Sequence, residues 1–287
     1  MKSPLIAALA LSFVAACSGS TSVTSTTSGG QGELIVEVTD KPFDYDLVAS
    51  AVVRVDEIRV HAEADGQDGF ETVYQGKALE FDLLDLTNGV TQVLVRVDLP
   101  VGTYHQLRLH VVGGRIELVD GDVFSTELGN LQLTSTGTSG LKVFIDPPVE
   151  VVSELSTTLL LDFDLSKTFH AVPASDPLNA AKFQLKPVLH AVNKSKTGEV
   201  RGLVQTDDGA GGLAPVDMAT VYLQPFGDPD PDHSIAATAS VEDGSYRLIG
   251  IPAGTWDVLA TKDDLQGTFS GVQVEVGNIS YADVLIE

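Results

Sequence analysis

The chain has 287 residues, 43% of them hydrophobic, so it is long enough for two ordinary domains with substantial cores. Its 17 basic and 40 acidic residues give a net charge of −23, which argues against nucleic acid as a partner because phosphate backbones are repelled. The same charge argues against electrostatic docking on anionic lipids. A single cysteine excludes an intramolecular disulfide.

The first residues have the pattern of a secretory signal peptide. Lys2 supplies a positive start, the apolar run LIAALALSFV follows over residues 5–14, and the small residues Ala15 and Ala16 come after it. The run is too short for a membrane span, which takes about 20 apolar residues. Residues 1–16 are therefore predicted to be a lipoprotein signal peptide that is removed.

The tetrapeptide Val14-Ala15-Ala16-Cys17 resembles a bacterial lipobox, in which the cysteine thiol receives a diacylglyceryl group before cleavage. The resemblance implies that Cys17 is lipidated and anchors the protein in the bacterial cell envelope, in the outer membrane if the host is Gram-negative. Two or three acyl chains hold a protein on a membrane where one is marginal. An ordinary signal peptide followed by a chance cysteine is the alternative.

Residues 17–32 comprise this cysteine and the segment SGSTSVTSTTSGGQG, which has no periodicity and almost no apolar content. Such a composition is typical of a flexible tether. A chain of this kind scales as about 5–6 Å × √n, which gives a reach of roughly 20 Å. The folded part is predicted to begin at Glu33.

Residues 33–192 are predicted to form a β-sandwich, because short β-branched and apolar segments recur between turn residues and none shows a helical stripe. In one segment the apolar phase changes, with Val53 and Val55 on one parity and Ile58 and Val60 on the other. A bulge at Asp56-Glu57 would return both pairs to one face, and we predict one there.

Two histidines of the same region are predicted to lie apart. In GTYHQLRLHVV, residues 102–112, strand alternation places His105 with Leu107 and Leu109 and places His110 on the opposite face. This separation argues against a metal-binding histidine pair.

Two carboxylate pairs, Asp82/Asp85 and Asp162/Asp164, are the acidic candidates for a site. Asp162 and Asp164 lie two apart on a predicted strand, on the face opposite its apolar residues, and we interpret them as a solvated face. No further element of a metal or glycosidase site accompanies them. The segment around Asp85 is interpreted as a turn, because Asn-Gly at its end permits one.

Motifs spread over this region carry a family resemblance. They are VTDKPFD (38–44), FDLLDLTNGV (81–90), LPVGTYHQLRL (99–109), LDFDLSKTF (161–169) and FQLKPVLHAV (183–192). In this order they resemble a bacterial lipoprotein domain of unknown function, of the type numbered four-three-eight-two. The resemblance implies no activity and no catalytic residue.

Residues 193–197, NKSKT, are predicted to be a short polar hinge before a second strand-rich region over residues 198–287. In its segment GSYRLIGIPAGTW, turns are predicted at residues 244–245 and 252–254, and Tyr246, Leu248 and Ile251 are predicted to pack inward. Trp256 is predicted to be buried or half-buried, and a sugar-stacking platform is its alternative role.

The second region also carries a resemblance. Its segments GEVRGLV, DMATVYL, VEDGSYRLIGIPAGTWDVLAT, GVQVEVG and ADVLIE are similar in order to the carboxypeptidase regulatory-like, transthyretin-like β-sandwich. The resemblance implies a Greek-key sandwich, in a group where some members bind carbohydrate and others are spacers or adhesion modules. Fold analogy transfers no site. The whole chain is thus predicted to be all-β, with two tandem antiparallel β-sandwich domains.

The acidic segment GDPDPDHS, residues 227–234, does not match a calcium-binding EF-hand loop. Counted from Asp228, its sixth residue is His233 instead of Gly and its twelfth is Ala239 instead of Glu. The prolines are predicted to keep it extended, as an exposed acidic loop. We predict neither a metal site nor a cofactor.

No catalytic motif is legible: G-x-S-x-G, H-E-x-x-H and a glycine-rich phosphate loop do not occur. We predict a non-catalytic, membrane-anchored envelope lipoprotein whose β-sandwich modules serve binding or scaffolding, with an envelope polysaccharide or protein as partner. The alternative is a carbohydrate-binding surface lipoprotein with Trp256, Tyr222 and Tyr281 as platforms. An enzyme with a spatially assembled site is the minor alternative.

Overall fold

The structure is a computed structural model that describes residues 30–41, 47–62, 69–134, 140–173 and 177–287. The predicted signal peptide, Cys17 and the predicted tether up to residue 29 lie outside the described residues. Within the described ranges, no helix is both long and apolar enough to cross a bilayer. The described chain is dominated by strands, which confirms the all-β prediction.

Strands β1 to β12 form what we call the N-terminal unit. They are β1 Gln31–Lys41, β2 Val48–Ala62, β3 Phe70–Asp82, β4 Gln92–Pro100, β5 Gly102–Leu118, β6 Val123–Ser125, β7 Leu131–Leu133, β8 Leu141–Val151, β9 Ser156–Asp164, β10 Phe169–Val172, β11 Lys182–Leu185 and β12 Leu189–Asn193. One helical turn, α1 Leu165–Thr168, follows β9, and 3₁₀ turns cover Leu84–Leu86 and Pro177–Asn179. Their buried apolar side chains form one core.

Strands β13 to β21 form the C-terminal unit, which has a second core of its own. They are β13 Thr197–Asp207, β14 Leu213–Pro215, β15 Thr220–Pro225, β16 Ala236–Ala239, β17 Ser245–Pro252, β18 Gly254–Lys262, β19 Leu265–Val274, β20 Ile279–Tyr281 and β21 Val284–Leu285. Further 3₁₀ turns cover Lys194–Lys196, between the units, and Pro231–His233.

The main sheet of the N-terminal unit has the strand order β3-β2-β5-β8-β12-β9-β1-β4. Most neighbours are antiparallel, but β1 pairs with β9, and β8 with β12, in parallel. The sheet curls into a sandwich. This is evident from Phe81 of β3 and Phe163 of β9, which are far apart in the strand order yet meet edge to face with ring centroids 5.4 Å apart. A three-stranded sheet, β10-β11-β7, completes the unit.

The bulge predicted in β2 is confirmed. The pairing register of β2 shifts between Val55 and Glu57 against both neighbouring strands. Val53, Val55, Ile58 and Val60 are consequently all completely buried in the core. One extra residue therefore keeps a strand whose apolar phase changes on a single face.

The predicted placement of His105 with the buried leucines of β5 is wrong. A second irregularity lies between Tyr104 and Gln106, where the register of β5 shifts against β8. Tyr104, which is 1% exposed, is buried with Leu107 and Leu109 in place of His105. Its hydroxyl donates to the Pro100 carbonyl at 2.9 Å, so the larger aromatic ring is buried without an unpaired polar atom.

The C-terminal unit consists of two packed sheets, with β13 and β17 in one and β16-β15-β18-β19 in the other. Tyr246, Leu248 and Ile251 are buried as predicted, and Gly244 adopts φ +76° at the predicted turn. The Tyr246 hydroxyl donates to the Ala282 carbonyl, and burial raises the pKa of Tyr246. The phenol therefore stays neutral and holds the chain after β20 against the core.

The segment predicted as a polar hinge is an ordered turn between the two units. Asn193 is 1% exposed, and its side-chain amide donates to the Pro148 carbonyl at 3.0 Å. Lys194 Nζ lies 2.6 Å from Glu37 Oε2 of β1. Thr197 Oγ1 donates to the Lys194 carbonyl at 2.8 Å. Because these bonds fix both ends of the turn, the direction in which β13 leaves the N-terminal unit is set.

The two units also touch directly. The backbone amide of Asn88 donates to Thr238 Oγ1 at 2.9 Å. Leu160 lies on the outer face of β9, outside the N-terminal core, yet is only 1% exposed. A Cβ placed on Gly250 would lie 2.9 Å from Leu160 Cδ2 and 3.3 Å from Val192 Cγ2. The bare backbone of Gly250 therefore packs on the outer face of the N-terminal sheet.

The loop over residues 227–234 is not fully extended as predicted, because the Pro231–His233 segment closes into a 3₁₀ turn. Asp230 caps this turn by accepting from the Asp232 amide at 3.0 Å. Asp228 accepts from the Asp230 amide at 3.1 Å and lies 2.8 Å from His233 Nδ1. These hydrogen bonds and the exposed positions of most of its residues agree with an acidic surface loop.

The contact of Gly250 with the N-terminal unit gives a stability prediction. Gly250→Ala strains a residue at φ +71° and also drives a methyl group into Leu160, whereas Gly209→Ala strains φ +73° with open space around it. Both variants bear the left-handed penalty of about 1–2 kcal/mol. We expect Gly250→Ala to lower the free energy of unfolding by about a further 1–3 kcal/mol, measured by urea denaturation. Equal losses in the two variants would contradict the contact.

The Asp228–His233 pair gives a pH prediction. The hydrogen bond that His233 Nδ1 makes to the Asp228 carboxylate, and the charge of that carboxylate, raise the pKa of His233 above the ordinary value of about 6.5. The pair therefore stabilises the loop below the unfolded-state pKa, and this contribution is lost as pH rises through the folded-state pKa. An NMR titration should show the raised pKa, and Asp228→Asn should lower it. An unchanged His233 titration in that variant would refute the pairing.

Candidate functional site

A cavity of about 360 Å³ lies between the two units, and we call it the cleft. Its residues from the N-terminal unit are Phe144, Asp146, Leu160, Asp162, His190, Ala191 and Val192. Its residues from the C-terminal unit are Ser234, Ile235, Ala236, Ile249, Gly250, Ile251, Pro252 and Trp256. Ligand sites commonly lie at such junctions and occupy about 300–1,000 Å³, so the cleft is the candidate functional site.

Strand alternation places the carboxyl groups and the imidazole of the cleft on its N-terminal wall. Val143 and Ile145 of β8 belong to the N-terminal core. Phe144 and Asp146 alternate with them along the strand and therefore face outward. The same holds on β9 and β12, where Asp162 and His190 are directly opposite each other in the antiparallel register. The outer face of three strands thus presents an aromatic ring, two carboxyl groups and an imidazole.

Trp256 forms part of the opposite wall, and its ring position is fixed. The indole packs against the C-terminal core, and its Nε1 donates to the Pro252 carbonyl at 3.1 Å. A Cβ on Gly254 would lie only 3.2 Å from that nitrogen, so the ring rests on a residue without a side chain. With its polar atom satisfied and one part packed, the remaining ring surface is an apolar platform held in place before a ligand arrives.

Phe144 is the exposed aromatic side chain of the N-terminal wall. The residue is 67% exposed, although it lies in a strand rather than in a loop. Lys142 Nζ lies 4.7 Å from the ring centroid, at a distance at which a cation is attracted to the ring face. An exposed ring beside a cavity offers apolar surface to a ligand, whereas it contributes little to a core.

A smaller crevice lies beside the cleft and shares Asp162 with it. Asp40, which is 4% exposed, and Arg247 also line this crevice, whose volume of about 10 Å³ is room for a single water. Arg247 donates to Glu199, which lies behind it on β13. Burial would raise the pKa of Glu199, but the hydrogen bonds from Arg247 and Arg201 outweigh burial and lower this pKa, so Glu199 is ionised. Arg247 is held by this ionised partner, and its aliphatic portion packs against Gly89.

The structure separates the three aromatic residues predicted as platforms. Only Trp256 lines the cleft. Tyr222 points away from the C-terminal core, because it alternates on β15 with the buried residues Val221 and Leu223. Tyr281 is 69% exposed on β20, beside Arg201 of β13. Neither tyrosine can share a small ligand with Trp256 in the cleft.

The carboxylate pairs have different roles from those considered at first. Asp164 is not on a solvated face: it is 3% exposed and caps helix α1 by accepting from the Lys167 amide at 3.2 Å. Asp82 accepts from the Ala51 amide at 3.0 Å and from Ser50 Oγ at 2.6 Å, so it ties the end of β3 to β2. Of the four carboxylates, Asp162 alone lines the cleft.

Sequence reasoning missed Phe144, Asp146 and His190, because each is an isolated polar or aromatic residue on an alternating strand. One signal was available in the run Leu159–Leu161, which breaks alternation with three consecutive leucines. Such a run indicates burial on both faces of a strand, and hence a second layer over β9. Among the residues that the structure describes, no group of three or more His, Cys, Asp or Glu side chains is placed to hold a metal ion.

Comparisons with solved structures return bacterial proteins, three of which follow. A Pseudomonas aeruginosa protein proposed to bind carbohydrate is 17% identical, with a TM-score of 0.24, over 32% of this chain and 90% of its own. A minor pilin of Streptococcus agalactiae is 11% identical, with a TM-score of 0.25, over 89% of this chain and 95% of its own. A shaft pilin of Lactobacillus rhamnosus is 9% identical, with a TM-score of 0.23, over 90% of this chain and 98% of its own.

TM-scores this low do not establish a shared architecture, so these likenesses transfer no function. No curated protein matches the chain. A family model described as a domain of unknown function, DUF4382, matches residues 31–187, which are more than half of the chain. The match covers β1 to β11 and therefore the strands that carry Phe144, Asp146 and Asp162. The chain belongs to the DUF4382 family.

Proposed function

We propose that the protein is a non-catalytic binding protein of the bacterial envelope, anchored by a lipid on Cys17, and that it binds carbohydrate in the cleft. The observation that carries the proposal is the composition of the cleft walls. Trp256 and Phe144 line one cavity together with Asp146, Asp162 and His190. The family model supplies no activity, and these residues are the support for carbohydrate binding.

A sugar ring matches these groups chemically. Pyranose rings present an apolar face of C–H groups and a rim of hydroxyls, so they pack on an indole or phenyl face while the hydroxyls bond to neighbouring polar groups. Carboxylates accept hydrogen bonds from hydroxyls, and an imidazole either donates or accepts one. A volume of about 360 Å³ is at the low end of the range for ligand sites, which favours a short saccharide or the end of a chain.

The anchoring part of the proposal is supported by the N-terminal sequence. The apolar run, the small residues and Cys17 have the lipobox order, and a serine- and threonine-rich segment follows before the first described strand. Lipidation would keep the cleft near the envelope, where polysaccharide is abundant. In a Gram-negative host we propose the outer membrane as the site of anchoring.

A second candidate function is scaffolding, in which the units form a spacer. The ordered turn at residues 194–196 and the direct bond from Asn88 to Thr238 favour it, because they resist bending between the units. The resemblance of residues 198–287 to carboxypeptidase regulatory-like modules, which include spacers and carbohydrate binders, is compatible with both functions. A scaffold needs no occupied cleft, so ligand binding separates the two candidates.

The aromatic residues of the cleft give the binding prediction. The protein is first screened on a glycan array, and each glycan that it binds is then titrated against it in solution. Binding should change the fluorescence of Trp256, the only tryptophan of the chain. Phe144→Ala should weaken binding about tenfold or more, equivalent to about 1.4 kcal/mol, because it removes an exposed ring without opening a core. Tyr281→Ala is the matched control, an exposed aromatic outside the cleft, and should bind as the wild type.

Three results would each contradict one part of the proposal: carbohydrate binding, its place in the cleft, or the absence of catalysis. Silence across envelope polysaccharides and peptidoglycan would favour the scaffold. Equal losses of glycan affinity in Phe144→Ala and Tyr281→Ala would mean that the ligand binds outside the cleft. Hydrolysis of any bound glycan by the wild type would make the protein an enzyme, with the carboxyl groups of the cleft as first candidates for its acid and base.

The lipid anchor has its own prediction. Cys17→Ser should move the protein from the membrane fraction to the soluble fraction, because the thiol that accepts the diacylglyceryl group is gone. Ser18→Ala, a substitution one residue further on, is the control and should leave the protein in the membrane fraction. Retention of Cys17→Ser on membranes after a salt wash would refute the lipid anchor.

A further inference from the structure

An apolar surface lies at the end of the N-terminal unit where β1 begins. Val101, in the turn between β4 and β5, is 47% exposed, and Val152 and Leu155, in the turn between β8 and β9, are 46% and 59% exposed. None of the three belongs to the N-terminal core. We call this surface the apolar end.

The start of β1 ties these two turns together. The Gly30 carbonyl accepts from the Val101 amide at 3.0 Å, and the Gln31 carbonyl accepts from the Glu154 amide at 3.0 Å. A Cβ on Gly30 would lie within 3.6 Å of Val101 Cγ2 and would collide with Ser153. The aliphatic side chains therefore surround the point at which the chain arrives from Cys17, and Ser153 and Glu154 lie between them.

Chain length brings this end close to the proposed lipid. Gly30 is 13 residues from Cys17, and such a segment spans at most about 45 Å at 3.3–3.6 Å per residue. Strand β5 begins beside Val101 and has 17 residues, so its far end, next to Val119, is at most about 55 Å away at 3.3 Å per residue. An anchored molecule therefore presents the apolar end to the membrane more readily than the opposite end.

We propose that the apolar end is a membrane-contact surface that rests on the lipid bilayer, and this proposal depends on the lipid anchor proposed above. Partial insertion among acyl chains removes the three exposed aliphatic side chains from water, which lowers the free energy of the bound protein. Glu154 within the surface, and the acidic body behind it, favour zwitterionic over anionic headgroups. The anchor and the surface together would hold the molecule upright, with β5 directed away from the membrane.

Depth-dependent fluorescence quenching tests the proposal on the full lipidated protein. Leu155→Trp and, as the matched control, Val119→Trp each replace an exposed aliphatic residue, at opposite ends of β5. Both are reconstituted in phosphatidylcholine vesicles with and without bromine on the acyl chains, and the wild type supplies the emission of Trp256. Bromolipid should quench most of the added emission of Leu155→Trp and leave that of Val119→Trp unchanged.

Vesicle flotation separates failure of the anchor from failure of the surface. Protein that does not float lacks the anchor, and both proposals fall. Protein that floats with Leu155→Trp no more quenched than Val119→Trp keeps the anchor and overturns the membrane-contact surface. Shielding of Leu155→Trp from aqueous iodide without lipid quenching would assign the surface to a second protein. If Leu155→Trp does not fold, Val152→Trp provides the same comparison.

Discussion

Leu160 is the residue on which the arrangement of the two units depends. Its neighbours Leu159 and Leu161 are part of the N-terminal core, so β9 cannot rotate to hide Leu160 without exposing them. The outer leucine must be covered from outside, and Gly250 covers it with bare backbone so closely that a Cβ on the glycine would lie 2.9 Å from Leu160 Cδ2. Hydrophobic burial on both faces of one strand thus provides the apolar contact at this point of the junction.

The cleft lies where the contact between the two units ends. Around Gly250 the units are in close contact, whereas beyond it the outer strand face carries Phe144 and Asp146, which the C-terminal unit does not cover. The ordered turn at residues 194–196 restrains how the units sit on either side of this space, since Lys194 forms an ion pair with Glu37 of β1. A cavity with walls held apart by a short linker is pre-organised, which reduces the entropic cost of binding.

The sequence was a good guide wherever one strand and its own alternation decide the outcome. The bulge next to Asp56, the turn at Gly244 and the burial of Tyr246 all follow from local pattern. It failed at His105, because a second bulge shifts the phase and Tyr104 competes better for the core. The cleft was not predictable, since Phe144 and Trp256 are 112 positions apart and meet only because two units pack together.

The two walls of the cleft have separate origins in the chain. The family match ends at residue 187, so Phe144, Asp146 and Asp162 lie within it and Trp256 lies outside it. A related chain with a different C-terminal module would keep the outer strand face and change the wall opposite to it. Ligand preference would then change with the module, and any module placed there on this chain would still have to cover Leu160, the outer residue of the Leu159–Leu161 run.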